Sequence, residues 1–233
     1  MTRLIVSVKT YEECIEALKG GNVWIDVKNP ALGSLGQAPS DELIAISEKL
    51  NGSTVPLSAA LGELRKLNEI PKSWPWNRIR FAKIGLEGCS GSVWQDSARK
   101  VDQILRALGS RLVLGAYADR ARAMSPDLSD CVDMAIELSM PAILIDTCCK
   151  DGGGILDYIT CDRLRDIIEL VQRKGMAIAL AGSLTKSSLK AVVALRPDYI
   201  AARGAFCIGS DRMATIEHSQ VKDWVDFLAV SSN

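Results

Sequence analysis

The stretch "VWIDVK" (residues 23–28) combines two patterns that are normally found apart. Its apolar residues are typical of a strand buried in a parallel sheet, yet its C-terminal end carries an acid, Asp26, and an amine, Lys28. On an extended strand, residues i and i+2 point to the same face. The stretch therefore predicts a buried strand that directs two charged groups toward the interior of the fold.

Apolar runs of this kind alternate with amphipathic segments along the whole chain. Predicted strands cover residues 4–8, 23–28, 54–60, 78–86, 111–117, 141–147, 176–182 and 198–203, and predicted helices cover residues 10–18, 41–50, 94–108, 128–138, 162–174 and 187–195. Strands and helices that alternate in this way indicate parallel βαβ units. Eight strands in 233 residues predict an α/β fold, a single (β/α)8 TIM barrel domain over residues 1–233.

A doubly wound open sheet is the structural alternative. No G-x-G-x-x-G loop follows the first predicted strand, which disfavours the dinucleotide-binding version of that fold. The third unit of the barrel pattern is weak, because residues 61–78 carry Pro71 and Pro75 and predict only a short helix followed by a loop.

Several predicted helix ends carry local signals. Thr10, followed by Glu13 three residues later, fits a capping box. Glycines follow the last residues of four apolar or helical segments, where a left-handed stop is needed. These glycines are Gly20, Gly52, Gly109 and Gly175.

The composition excludes several classes of partner. The 28 basic and 28 acidic residues balance, so we expect no nucleic-acid partner and no anionic membrane surface. No apolar run approaches the ~20 residues of a membrane span, and the N-terminal segment lacks the long apolar stretch of a signal peptide. We expect a cytoplasmic protein.

The cysteine and histidine content limits the chemistry. Seven cysteines without a C-x-x-C spacing indicate scattered free thiols, not a disulfide framework or a metal site. The one histidine, His218, stands in a polar segment near the C-terminus and is predicted to lie on the surface. If the protein is an enzyme, Lys, Asp, Glu, Tyr or Cys must therefore move the protons.

Charged residues recur where the predicted strands end. In a (β/α)8 barrel the reacting groups cluster at the C-terminal ends of the strands. Neighbouring strands lie ~4.8 Å apart, so the backbones of Lys28 and Lys83, one strand removed from each other, are about 10 Å apart and their side chains can converge. Clustering and burial lower the pKa of a lysine, and a neutral amine is a nucleophile toward carbonyls. The charged candidates are Asp26, Lys28, Lys83, Asp146, Lys150 and Asp151, with Tyr117 and Asp119 at the end of the fifth strand.

Small-residue loops after three strands predict phosphate binding. "LAGSLTKSS" (180–188) and "ARGAFCIGSDR" (202–212) follow strands seven and eight, where barrels commonly hold phosphate. "NPALGSLGQ" (29–37) follows strand two and offers a second anion site. The predicted phosphate contacts are Ser34, Gly182, Ser183, Arg203 and Gly204.

Six stretches, in this order, resemble the (5-formylfuran-3-yl)methyl phosphate synthases. They are "IDVKNPALGSLG", "FAKIGLEG", "LGAYAD", "LIDTCCKDG", "IALAGSL" and "ARGAFCIGSDR", and they run from the second strand to the eighth. The resemblance implies a class I aldolase-like barrel that condenses two glyceraldehyde 3-phosphate molecules through a lysine Schiff base, losing phosphate and water. The product of these synthases, a furan phosphate, is a precursor of methanofuran-type one-carbon carriers in methanogens and some methylotrophic bacteria.

The resemblance also implies roles for individual residues. Lys28 would form the Schiff base and Lys83 would accept a proton, while Asp26, Asp146, Lys150 and Asp151 match motif positions around the site. It implies no metal and no organic cofactor, and phosphorylated trioses as the small-molecule substrates. The segment 68–79, with its two tryptophans, is longer than the pattern leads us to expect before strand four.

Two other functions fit parts of the sequence. One is a different Schiff-base barrel, of the deoxyribose-phosphate aldolase or transaldolase type, which would cleave C–C bonds reversibly. The other is a non-catalytic sensor of phosphate ligands, which borohydride would not inactivate. We further expect a homo-oligomer, with Trp74–Trp76 and residues 223–230 as candidate contact surfaces.

Overall fold

A computed structural model describes residues 1–231, which form a closed barrel of eight parallel strands. Each strand pairs with the next in chain order, and β8 closes the ring against β1. The predicted barrel is confirmed and the open sheet is excluded. The strands are β1 (Arg3–Val8), β2 (Trp24–Val27), β3 (Leu57–Glu63), β4 (Ile79–Gly85), β5 (Arg111–Tyr117), β6 (Ala142–Asp146), β7 (Ala177–Leu180) and β8 (Tyr199–Ala202).

Helices surround the barrel and in most units return the chain to the next strand. All six predicted helices are present to within one residue at each end. Three more, α4, α6 and α9, were not predicted, two of them because a single turn carries no periodic signal. The helices are α1 (Tyr11–Lys19), α2 (Ser40–Lys49), α3 (Val93–Ala107), α4 (Arg120–Ala123), α5 (Leu128–Glu137), α6 (Ile155–Tyr158), α7 (Cys161–Arg173), α8 (Lys186–Ala194) and α9 (His218–Val230).

The predicted helix ends are mostly confirmed. Gly52, Gly109 and Gly175 have positive φ, as a left-handed stop requires. Gly20 does not: its φ is −71°, and Gly21 has the positive φ instead. The Thr10 hydroxyl accepts a hydrogen bond from the N–H of Glu13, which is half of the predicted capping box.

The third unit lacks a full helix, as predicted. A short 3-10 helix, Leu64–Lys66, follows β3, and an irregular segment leads to β4. Trp74 and Trp76 are buried there, and the Trp74 indole N–H donates to the Ser40 hydroxyl of α2. These tryptophans are therefore core residues, and the prediction that they form an exposed contact surface is wrong.

The C-terminal helix α9 packs against α1 and β1. Trp224 on this helix is buried and lies edge-on to Phe206, with ring centroids 5.0 Å apart, so it is not an exposed contact either. His218 at the start of α9 is exposed and lies 2.9 Å from a carboxylate oxygen of Glu16, which agrees with its predicted surface position. Association into a homo-oligomer stays a prediction without these tryptophans as its contact.

The interior of the barrel changes in character from one end to the other. At the N-terminal end, the rings of Trp24, Phe81 and Tyr199 pack together, with centroids 5.6 and 4.9 Å apart for the two pairs that include Trp24. We call these three rings the aromatic floor. Two residues further along β2 and β4, the same inward face carries Asp26 and Lys83. The alternation of each strand thus separates an apolar end from a charged end.

The described residues contain no helix that is both long and apolar enough to cross a membrane.

Candidate active site

Asp26 is the most enclosed charge of the barrel. Its side chain has no exposed surface, and strand register places Ser7 of β1 and Ser58 of β3 beside it. Both serine hydroxyls donate to its carboxylate, at 2.9 and 2.8 Å, and the Lys83 amine lies 2.5 Å from Oδ2. A carboxylate with this many donors is fixed in direction.

Lys28 lies just beyond β2, and its main-chain N–H still donates to the carbonyl of Val8 on β1. Its amine donates to the carbonyl of Ser34 at 3.0 Å, and the residue is only 8% exposed. Burial lowers the pKa of the Lys28 amine to about 7; Lys83 and Lys150 add to the shift, and Asp146 and Asp26 oppose it. A large fraction of this amine is therefore neutral at physiological pH.

Asp146, at the end of β6, faces Lys28 from across the barrel. Its carboxylate accepts hydrogen bonds from the Lys150 amine at 2.7 Å and the Ser34 hydroxyl at 2.8 Å. Burial opposes ionisation, but the charges of Lys150 and Lys28 outweigh it and hold the pKa of Asp146 at about 2. Asp146 is an anion at all physiological pH values.

Ser34 connects these two residues. It is 1% exposed, and its hydroxyl proton is committed to Asp146 while its carbonyl accepts from Lys28. The Ser34 hydroxyl thus has no free proton to donate to phosphate in this structure, and phosphate binding by Ser34 stays a prediction. Gly36 allows the tight return of this loop, because a Cβ there would collide with the carbonyl oxygen of Asn29.

A cavity of about 480 Å³ opens above these groups. Three amines, from Lys28, Lys83 and Lys150, and the carboxylate of Asp146 line it. Most of the rest of its wall comes from the loops after β7 and β8 and from α9. Its size and its excess of positive charge suit a small anionic substrate.

The loops after β7 and β8 present main-chain donors to this cavity. Gly182 and Ser183 have φ of +102° and +46°, a left-handed bend that turns the chain after β7. The N–H groups of Gly182, Ser183, Gly204 and Ala205 donate to no acceptor within residues 1–231. Free N–H groups on a bent loop at the mouth of a barrel are typical of phosphate sites.

Arg203 follows β8, as predicted, but its guanidinium already donates to other groups of the protein. All five N–H donors of its guanidinium are used: two bind the Glu13 carboxylate at 2.6 and 2.9 Å. The other three bind the carbonyls of Arg212, Ser7 and Ala214. The residue is 4% exposed. No donor of the guanidinium is left free for phosphate in this structure, and phosphate binding by Arg203 stays a prediction.

Asp151 lies outside the cluster. Its side chain is exposed and pairs with Arg122 of α4 at 2.6 Å, away from the cavity, so its catalytic role stays a prediction that this geometry does not support. Tyr117 is also turned away: it is fully buried and donates to Glu63 at 2.5 Å. Asp119 has a different part, since its carboxylate accepts the N–H groups of Cys148 and Cys149 and so fixes the loop that carries Lys150.

Comparison with known proteins identifies the family. A sequence model described as 4-HFC-P synthase matches residues 4–225. The chain belongs to this synthase family. A relative from Methanococcus maripaludis, named (5-formylfuran-3-yl)methyl phosphate synthase, is 30% identical over 230 residues, covering 95% of this chain and 97% of the relative. One of the same name from Methanopyrus kandleri is 30% identical over 217 residues, covering 90% and 91%.

Solved structures that resemble the chain have the same fold. The 3-hexulose-6-phosphate synthase of Salmonella typhimurium superposes with a TM-score of 0.63 at 16% identity, over 99% of this chain and 100% of the other. KGPDC from Streptococcus mutans superposes with a TM-score of 0.62 at 12% identity over all of both chains. At this identity the likeness shows the barrel alone.

Sequence reasoning missed several residues of the synthase site. Ser7 and Ser58 were hidden inside apolar strands, and only the register of β1, β2 and β3 brings them to Asp26. Glu13 looked like a capping residue, and its reach to Arg203 depends on the packing of α1 under the loop after β8. A polar residue inside an apolar strand was the available signal for the two serines.

Proposed function

We propose that this protein condenses two molecules of glyceraldehyde 3-phosphate to (5-formylfuran-3-yl)methyl phosphate through a Schiff base on Lys28. The observation that carries the proposal is the buried Lys28 amine, whose pKa is lowered to about 7. Membership of the synthase family supports the product, and a role in making methanofuran-type carriers follows from it.

Imine formation is the first step. The neutral Lys28 amine adds to the carbonyl carbon of one triose, and the carbonyl oxygen leaves as water once it has received two protons. Asp146, ionised beside the amine, stabilises the resulting iminium cation. The loss of water is helped by Lys150, which lines the cavity and donates to Asp146.

Lys83 then acts on the carbon next to the iminium. Its ammonium, paired with Asp26, first gives one proton to the departing carbonyl oxygen; the neutral amine then removes the α proton, and the electron pair of the C–H bond enters the enamine. The enamine carbon forms the new C–C bond with the second triose. Asp26, which holds the Lys83 amine at 2.5 Å, keeps it directed at the cavity and balances its charge when it is protonated.

Ring closure completes the reaction without an oxidant or reductant. Two triose phosphates contain the atoms of one furan product, one phosphate and two waters, so no electrons are gained or lost. Hydrolysis of the imine returns the amine of Lys28. The main-chain N–H groups near Gly182, Ser183 and Gly204 bind the substrate phosphate.

The proposal is tested by product analysis and by labelling. Glyceraldehyde 3-phosphate alone should yield a product with the mass of the furan phosphate and an equal amount of free phosphate. Borohydride with substrate should label the chain once, on Lys28. Lys28→Arg should fold and be inert, because guanidinium cannot form an imine, while exposed Lys174→Arg should behave as wild type.

Two outcomes would contradict the proposal. Reversible C–C cleavage without a furan product would indicate another Schiff-base aldolase. A label on a different lysine, or an active Lys28→Arg protein, would remove Lys28 from the nucleophile's role.

A further inference from the structure

Arg212 spans the mouth of the cavity. It follows β8 in the chain, yet its Nη2 donates to the carbonyl of Gly33, in the loop after β2, at 2.9 Å. The side chain is half-buried and lines the cavity. It therefore bridges the loops after β8 and β2, on either side of β1, at the cavity that Asp146 and Lys28 also line.

The guanidinium of Arg212 has donors that nothing in the described chain uses. A guanidinium carries five N–H donors, and the hydrogen bonds within residues 1–231 engage one of them. Among these residues no carboxylate forms an ion pair with Arg212, whereas Arg203 is fully paired with Glu13. Arg212 thus has the free positive charge that Arg203 lacks.

The surroundings of Arg212 suit an anion. A Cβ on Gly204 would lie 3.8 Å from the Cβ of Arg212, so the unused N–H groups at Gly204 and Ala205 are its neighbours. The loop of Gly182 and Ser183 faces the same cavity. An anion at the mouth would meet a planar cation on one side and main-chain donors on the other, the arrangement that phosphate prefers.

Lys186 is the other cation at this edge of the cavity, and it is a weaker candidate. Its amine pairs with Asp223 at 2.7 Å, and its side chain is 74% exposed. An exposed, paired lysine gives little binding energy to a further anion.

We propose that Arg212 is the side chain that binds the phosphate group of the triose and sets the preference for phosphorylated over unphosphorylated aldehydes. The inference rests on the proposed function for the identity of the substrate. It assigns the side-chain contact to Arg212 and leaves Arg203, with Glu13, as the support beneath the loop.

The test compares two trioses that differ only in phosphate. Borohydride trapping is measured against the concentration of glyceraldehyde 3-phosphate and of glyceraldehyde, in wild type, Arg212→Met and Arg212→Lys. The preference for the phosphorylated triose should fall by about tenfold to a hundredfold in Arg212→Met, the usual value of a charge-assisted contact. Arg212→Lys should lie between, since it keeps the charge without the bidentate fork. Arg163→Met, an exposed arginine on α7, is the matched control.

A second measurement does not depend on catalysis. Calorimetric titration with inorganic phosphate should show binding to wild type and to Arg163→Met, and at least about tenfold weaker binding to Arg212→Met. Wild-type preference for the phosphorylated triose in folded Arg212→Met, or unchanged phosphate binding, would overturn the assignment. If wild type binds phosphate through Arg212 but traps neither triose, the proposed function and the aldehyde preference fail, while Arg212 stands as the phosphate-binding side chain.

Discussion

The Lys83 amine lies 2.5 Å from Oδ2 of Asp26, and this ion pair is closed off inside the barrel one inward position deeper than Lys28. Ser7 and Ser58 complete the shell of the carboxylate. A buried pair of this kind gives little net stability, because desolvation offsets most of the attraction. Under the proposed mechanism, the pair holds the proton-transferring amine of Lys83 next to the nucleophilic amine of Lys28.

Removal of the Lys83 amine should separate proton transfer from imine formation. Lys83→Met should slow furan formation by about 10²–10⁴, the usual contribution of general acid–base catalysis, while borohydride still labels Lys28. Lys83→Arg keeps the positive charge beside Asp26 and should be equally slow, since guanidinium does not give up its proton. Lys174→Met is the control. Turnover near the wild-type rate in both Lys83 variants would assign the proton to another group.

The rate of imine trapping should depend on pH through Lys28. Because burial lowers the pKa of its amine to about 7, the trapping rate should rise through that value and level off above it. Lys150 contributes to this lowering, so Lys150→Met should move the midpoint to higher pH and reduce trapping at pH ~7. Initial trapping rates between about pH 6 and 9 measure the shift. A midpoint that does not change, or that moves to lower pH, would show that Lys150 does not lower the pKa of Lys28.

Ser34→Ala tests whether this residue acts on the reacting groups or on phosphate. The variant loses the hydrogen bond to Asp146 but keeps the carbonyl that accepts from Lys28. We expect kcat to fall about tenfold, as for the loss of one buried hydrogen bond to a charged group, with KM nearly unchanged. Steady-state kinetics decides. A rise in KM at constant kcat would instead indicate that Ser34 binds phosphate.

The Glu13–Arg203 pair should support the fold more than it contributes to binding. Glu13→Gln leaves a buried guanidinium without its counter-charge and should lower the free energy of unfolding by about 3–5 kcal/mol. The double variant Glu13→Leu/Arg203→Met should recover part of this loss, because neither charge is then left alone. Urea unfolding measures both. If both variants are as stable as wild type and only KM rises, Arg203 binds substrate.

The barrel was predictable because its signals are local. Apolar strands, helix caps and the charges in "VWIDVK" all lie within a few residues of one another, and the positions of Lys28, Lys83, Asp146 and Lys150 follow from strand ends alone. The alternation of period two was enough to aim Asp26 inward, beside Lys83.

The contacts that could not be predicted are those in which a side chain binds a residue far away in the chain. Arg203 follows β8 in the sequence as a phosphate ligand would, but α1 brings Glu13 within 2.6 Å and takes its charge. Ser34 likewise turns to Asp146, which is 112 residues away. The residues next to Arg203 and Ser34 in the sequence indicate neither contact, because each contact depends on how elements pack across the closed barrel.

The aromatic floor has a consequence for the order of events in the cavity. Trp24, Phe81 and Tyr199 fill the far end of the barrel, and Arg80 lies 5.7 Å from the centre of the Trp24 ring. Substrates and product therefore enter and leave at the C-terminal end of the barrel, where the cavity lies. Under the proposed mechanism, the first triose, attached to Lys28, lies deeper in the cavity, and the second enters above it. The furan product must leave through the same opening before the next substrate can bind.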